Sequence, residues 1–157
     1  MEYIKNSKEE LGSEMVTQQV QFLGVNFKLE MPKEVYEFFE KDYQNYLPKM
    51  HRMGSAEVNN GVQVTISYGQ PKLSINGSSA FLSNTAGVQR MTRDAELLVS
   101  KLLERELNNM GIFSLHASGV AYNGKGVLIL GPSGAGKSTT AIAACLQDNK
   151  AKFISGN

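Results

Sequence analysis

Residues 125–138 read Lys125-Gly126-Val127-Leu128-Ile129-Leu130-Gly131-Pro132-Ser133-Gly134-Ala135-Gly136-Lys137-Ser138. The run opens with an apolar strand signal over 126–130, which predicts a buried strand, and passes into a glycine-rich loop. The residues after it, 138–146, are Ala-rich and read as a helix. Strand, glycine loop and helix in that order predict an α/β fold. Just upstream, Ile112 to Ala121 reads as a strand and Asn123-Gly124 as a tight turn, so the apolar strand is the second arm of a hairpin.

The loop matches G-x-x-x-x-G-K-[ST] at Gly131, Gly136, Lys137 and Ser138, the phosphate-binding P-loop pattern. Each fixed position has a physical reason. Phosphate oxygens must be reached by several backbone N–H groups, and glycines at 131, 134 and 136 remove the side chains that would stand in the way. The helix N-terminus adds free N–H groups and positive potential. Lys137 can reach the β- and γ-phosphates as a mobile charge, and Ser138 offers an oxygen ligand to Mg²⁺. Ser133, Ala135 and Thr139 complete the candidate nucleotide contacts. With glycine at its usual frequency, such a match arises by chance in roughly one chain of this size in a hundred, and the strand–loop–helix setting lowers those odds further.

Outward from the loop, Thr92 is placed to cap a helix over 93–110, with Asp94 and Glu96 in its first turn. Leu98, Val99, Leu102, Leu103, Leu107 and Met110 give its apolar face, and Gly111 is placed as the C-terminal cap. Residues 80–91 read either as strand and loop or as strand throughout. Val62, Val64 and Ile66 alternate as a strand, Gly69-Gln70-Pro71 turns the chain, Leu73 and Ile75 begin another strand, and Asn76-Gly77 turns again. Pro32 opens a helix that Pro48 ends, with Val35, Phe39, Tyr43 and Tyr46 on one side and Phe38 beside them. Residues 48–61 read as loop. Across 17–31 the apolar parity switches at Gly24, which predicts two short strands or one strand with a bulge or turn there. The division expected is a flexible N-terminal arm at 1–16, a β-rich α/β part at 17–110, and the start of a P-loop core at 111–157.

The 157 residues suffice for a buried core, and 16 Lys+Arg against 15 Asp+Glu leave the chain almost neutral. That balance gives no general reason to expect nucleic acid or an anionic membrane as partner. One cysteine, Cys145, cannot form an internal disulfide, which fits a reducing cytoplasmic setting. The N-terminus has no apolar run after its charges, so no signal peptide is expected, and no stretch reaches the roughly 18 apolar residues of a membrane helix.

The run Leu115-His116-Ala117-Ser118-Gly119-Val120, then Asn123-Gly124 and the strand and loop through Thr139, resembles the catalytic domain of HPr serine kinase/phosphorylase. It is closer still to the smaller HPr kinase-like proteins, some of them associated with peptide-modification pathways. The resemblance covers about residues 111–157 and implies the mixed-sheet core shared with ATP-dependent phosphoenolpyruvate carboxykinase. It implies phosphoryl transfer from ATP, with Mg²⁺, to a serine of a protein or peptide in the cytoplasm, and an oligomer by analogy. Lys137 and His116 would act at the phosphates. His116, fifteen residues before Gly131, matches a family histidine, but it reads equally well as a hydrogen-bonded residue at a strand end. His51 reads as an exposed loop residue.

Two positions depart from that family. Thr139 stands where HPr kinases have glutamate, and the strand 151–155 is followed by Gly156-Asn157 without the acidic pair that supplies the base. Asp148, in the turn before that strand, is poorly placed for the role. A non-catalytic nucleotide-binding module therefore stands as the alternative. An ABC-type ATPase shares the string from Gly131 to Thr139, but 130 residues precede the loop and no signature glycine run follows. A carboxykinase acting on a small acid would need a His, Lys and Asp metal set that the sequence does not offer. With Lys137 only twenty residues from Asn157, the expectation is a truncated or split kinase core. It would bind phosphate weakly at most and expose an apolar edge beside 126–130 and 151–155.

Overall fold

The computed structural model describes residues 13–42, 47–54 and 61–155. The chain is mixed α/β and divides into two compact units, residues 1–112 and 113–157.

The first unit begins with a hairpin, β1 (Met15–Phe22) and β2 (Val25–Pro32). Leu23 and Gly24 both take positive φ, 49° and 84°, the two-residue turn whose twist suits a hairpin. That turn explains the parity switch, because it sets Phe22 opposite Val25 and Val20 opposite Phe27. Strand β1 begins within the segment expected to be a loose arm, and residues 1–12 of that arm lie outside the described residues. Pro32 ends β2, and helix α1 runs Lys33–Asp42. Its Val35, Tyr36 and Phe39 are buried, whereas Phe38 is exposed. Tyr43 and Tyr46 lie outside the described residues. Leu47 is buried in a bend, so the expected helix to 47 is too long.

A short strand, β3 (Met50–Arg52), pairs antiparallel with β1 inside what was expected to be loop. Strands β4 (Val62–Tyr68), β5 (Lys72–Asn76) and β6 (Ser79–Asn84) complete a six-stranded sheet of order β3-β1-β2-β4-β6-β5. The sheet is mixed: β2–β4 and β4–β6 are parallel, the other pairs antiparallel. The period of two sends Val20, Phe22, Phe27, Leu29, Val62, Val64 and Ile66 to one face, where α1 and α2 cover them. Phe22 and Phe27 meet edge to face at 5.7 Å.

Helix α2 runs Val88–Asn109, five residues earlier than expected, so residues 80–91 are strand, loop and helix. Its N-cap is Gly87, which offers no side-chain acceptor. Thr92 is inside the helix, and its hydroxyl donates to the Val88 carbonyl at 2.9 Å. Asp94 and Glu96 therefore sit past the first turn, and Asp94 accepts from Asn84 Nδ2 and Arg90 Nε instead. Leu98, Val99, Leu102 and Leu103 are buried, while Met110 is exposed. Gly111, at φ 77°, closes the helix: its N–H reaches the Asn108 carbonyl and that of Ile112 reaches Leu107. That pair of bonds is the Schellman arrangement.

The second unit holds β7 (Ala117–Tyr122), β8 (Lys125–Leu130), α3 (Lys137–Gln147) and β9 (Ala151–Ser155). Strand β7 starts five residues later than expected. The order is β8-β7-β9, with both outer strands antiparallel to β7. Strands β8 and β9 are thus parallel to each other, joined through α3, with β7 between them. The loop-bearing sheet is antiparallel in every pairing, and the mixed sheet belongs to the first unit. Strand β8 is an edge rather than a buried strand, and apolar side chains are exposed beside 126–130 and 151–155 as expected: Val127, Leu128 and Leu130, with Phe153 and Ile154 on β9.

Candidate functional site

The site is set by the β7–β8 hairpin. Asn123 and Gly124 take φ 49° and 74°, a two-residue turn that fixes the register Tyr122 to Lys125 and Ala117 to Leu130. Strand β8 therefore delivers the chain to Gly131 at the end of the hairpin, with His116 the next register position across from it.

From Gly131 the chain turns back on itself, Ala135 N–H donating to the Pro132 carbonyl at 3.2 Å. Gly134 and Gly136 lie at φ 78° and 80°, left-handed positions that a side-chain-bearing residue takes only under strain. A Cβ on Gly131 would approach Ala135 Cβ to 3.3 Å. Gly136 is the N-cap of α3 and has no side-chain acceptor, and the first helical turn holds no acidic residue. Helix N–H groups that have no intrahelical partner are left for an external acceptor.

Lys137 opens the helix but folds back across the loop. Its Nζ donates to the Gly131 and Pro132 carbonyls, each at 3.1 Å, and the residue is 7% exposed. Two carbonyl dipoles hold the ammonium in place without neutralising it. Among the described residues no carboxylate lies in ion-pair range of it. A buried cation with neutral partners, beside uncapped helix N–H groups, is chemically suited to an anion.

Ser138 is half-buried, and its Oγ is 3.2 Å from Ser118 Oγ on β7. Ser118 is fully buried. The donors present suit a phosphate chain. The single hydroxyl of Ser138 suits a divalent cation that takes its remaining oxygens from phosphate and water. Ser133, Ala135 and Thr139 line the exposed side of the loop and helix start.

His116 is exposed in the residue before β7. Among the described residues no hydrogen bond joins it to Lys137 or Ser138. His51 is exposed, as expected, but in a strand. Asp148 follows α3, where its Oδ1 accepts the Lys150 N–H at 2.9 Å. A hydrogen bond to Asp148, with the charge of that carboxylate, pushes the Tyr122 phenol up from its ordinary value. Asp148 is thus occupied by local structure. Among the described residues no group of three or more His, Cys, Asp or Glu is placed to hold a metal.

Sequence reading passed over Ser118. Its signal is a polar residue on an apolar row: Ser118 and Val120 alternate toward one face of β7, where Val120 packs with Ala141, Ala151, Ile129 and Cys145. No helix among the described residues is long and apolar enough to cross a membrane. The chain matches no protein-family model, no curated protein and no solved structure.

Proposed function

We propose that this chain binds ATP with Mg²⁺ at the glycine loop and transfers the terminal phosphoryl group to a serine of a protein or peptide, as an HPr kinase-like P-loop enzyme of carboxykinase-type core. The observation that carries the nucleotide part is Lys137. Its ammonium is buried, held by the Gly131 and Pro132 carbonyls, and left without a carboxylate partner among the described residues. Evolution of a buried charge without a counter-ion is costly unless a ligand supplies the opposite sign.

In this reading the N–H groups of residues 133–139 and Lys137 hold the phosphates. Ser138 supplies one oxygen to Mg²⁺, which when bound neutralises charge on the phosphate oxygens. His116, the residue before Ala117 of β7, would act at the phosphates. In the transfer, the acceptor serine oxygen bonds to the γ-phosphorus as the bond to the β,γ-bridging oxygen breaks, and ADP leaves. The serine proton passes to a phosphate oxygen or to water, because Asp148 is engaged by Tyr122 and by the Lys150 N–H. That engagement favours a second reading, a nucleotide-binding module without transferase activity.

Calorimetric titration with Mg·ATP tests the binding. Lys137→Ala is expected to weaken affinity at least about tenfold, as loss of a charge-assisted contact does, and unchanged affinity overturns the reading. Single-turnover incubation of γ-labelled ATP with serine peptides then separates the two readings: labelled peptide supports the kinase, and binding without transfer supports the module.

A further inference from the structure

We infer that Ser118 is a positioning residue for the Ser138 hydroxyl, holding its proton so that an oxygen lone pair is free for a divalent cation. This rests on the nucleotide-binding reading above.

Ser118 lies on β7, twenty residues before Ser138. Along this row the next residue toward α3 is Val120, in a small core of Val120, Ala141 and Ala151 with Ile129 and Cys145 packed against it. The packing of an apolar row would place a valine or alanine at 118 as well. A fully buried hydroxyl there must be matched by a partner. The hydrogen bond recorded for it is to Ser138 Oγ, at 3.2 Å.

Either of two facing hydroxyls can donate to the other. That symmetry breaks when Ser138 Oγ gives a lone pair to a cation. Coordination draws electron density from Ser138 Oγ and makes its O–H the stronger donor, and Ser118 Oγ is an acceptor within reach. Ser118 thereby fixes the rotor of the one side-chain oxygen the site offers to the metal. Support of a ligand by a second hydrogen-bonded residue is a general means of tuning metal affinity. The role is specific to the metal: the phosphate contacts of the loop N–H groups and Lys137 do not pass through Ser118.

The test is calorimetric titration of the full chain with a non-hydrolysable ATP analogue, with Mg²⁺ and with chelator. The quantity read is the ratio of the two affinities. Ser118→Ala is expected to lower that ratio about threefold to tenfold, the loss of one hydrogen bond. Its metal-free affinity should stay within about twofold of wild type. Ser118→Cys keeps the packing, replaces the oxygen by a weak acceptor, and should behave alike; it decides the matter if the alanine variant does not fold. Ser138→Ala should abolish most of the ratio, and adding Ser118→Ala to it should change nothing more. A full metal ratio in both Ser118 variants, or losses that multiply with Ser138→Ala, overturns the inference while the nucleotide site stands. Absence of analogue binding to wild type overturns the nucleotide reading and this inference together.

Discussion

The two units are organised by opposite demands. In the first, an alternating pattern sends Val20, Phe22, Phe27, Leu29, Val64 and Ile66 to one face, and two amphipathic helices close over them. In the second, Val120, Ala141 and Ala151 are the buried apolar residues among those described. The buried polar groups there are Ser118 on β7 and Lys137 at the start of α3. The first unit is built by burial. The second is built by backbone conformation, with a hairpin turn, two left-handed glycines in the loop and an ammonium held by two loop carbonyls. Substitutions should divide along that line, with volume changes felt in the first unit and conformational or polar changes in the second.

The largest effect is expected from Phe39→Ala, which empties a fully buried site between α1 and the sheet. It should destabilise the first unit by about 3–5 kcal/mol in urea unfolding followed by circular dichroism. A loss below about 1 kcal/mol would break the contrast by showing that this core is loosely packed. Next is Gly136→Ala. At φ 80° a Cβ should introduce about 1–2 kcal/mol of strain. Because the added methyl meets nothing within 4 Å, the damage is conformational: nucleotide affinity should fall with little change in the unfolding of the first unit. If Gly136→Ala binds Mg·ATP as wild type does, the left-handed cap is not what shapes the loop.

A third expectation concerns pH. The first unit has a cavity lined by Glu34, Tyr68, Gly87 and Val88. Burial, then the negative charge and hydrogen bonding of Glu34, push the Tyr68 phenol up to about 12. Folding thus favours the neutral phenol. The stabilisation is complete below the ordinary tyrosine value near 10 and is lost as pH rises toward about 12. Wild type should lose stability over that window relative to Tyr68→Phe. Parallel stability curves for the two would remove the assignment. The smallest effect is Glu104→Gln, which breaks an exposed pair with Lys101 one turn away on α2. A shift of about 0.3 kcal/mol is expected, shrinking in salt.

The same division explains what could be read from sequence. Hairpin turns at Leu23-Gly24 and Asn123-Gly124, the alternation of β4, and the strand–loop–helix order at 126–146 are local, so the residues themselves announce them. The start of α2 was misplaced because Gly87 caps without a side chain, while Thr92, which looks like a cap, bonds back to Val88 inside the helix. Strand β3 has no apolar alternation and exists by pairing with β1. The parallel β2–β4 and β4–β6 pairings are likewise long-range. At the site, the loop residues were legible from spacing. Ser118 was not, because its meaning lies in a hydroxyl twenty residues away on another element. The run 126–130 by itself reads as a buried strand, because an apolar run looks the same at an edge as in the middle of a sheet.

If residues 131–139 form the proposed phosphate cradle, the amide resonances of that loop report on it directly. A two-dimensional ¹H–¹⁵N titration of the full chain with Mg·ATP should move the amides of Ser133, Gly134, Ala135, Gly136, Lys137 and Ser138 most. Those of the first unit should stay still, and Lys137→Ala should shift the response to at least about tenfold higher Mg·ATP. If the loop amides do not move at saturating Mg·ATP, or move no more than those of the first unit, the cradle is not there.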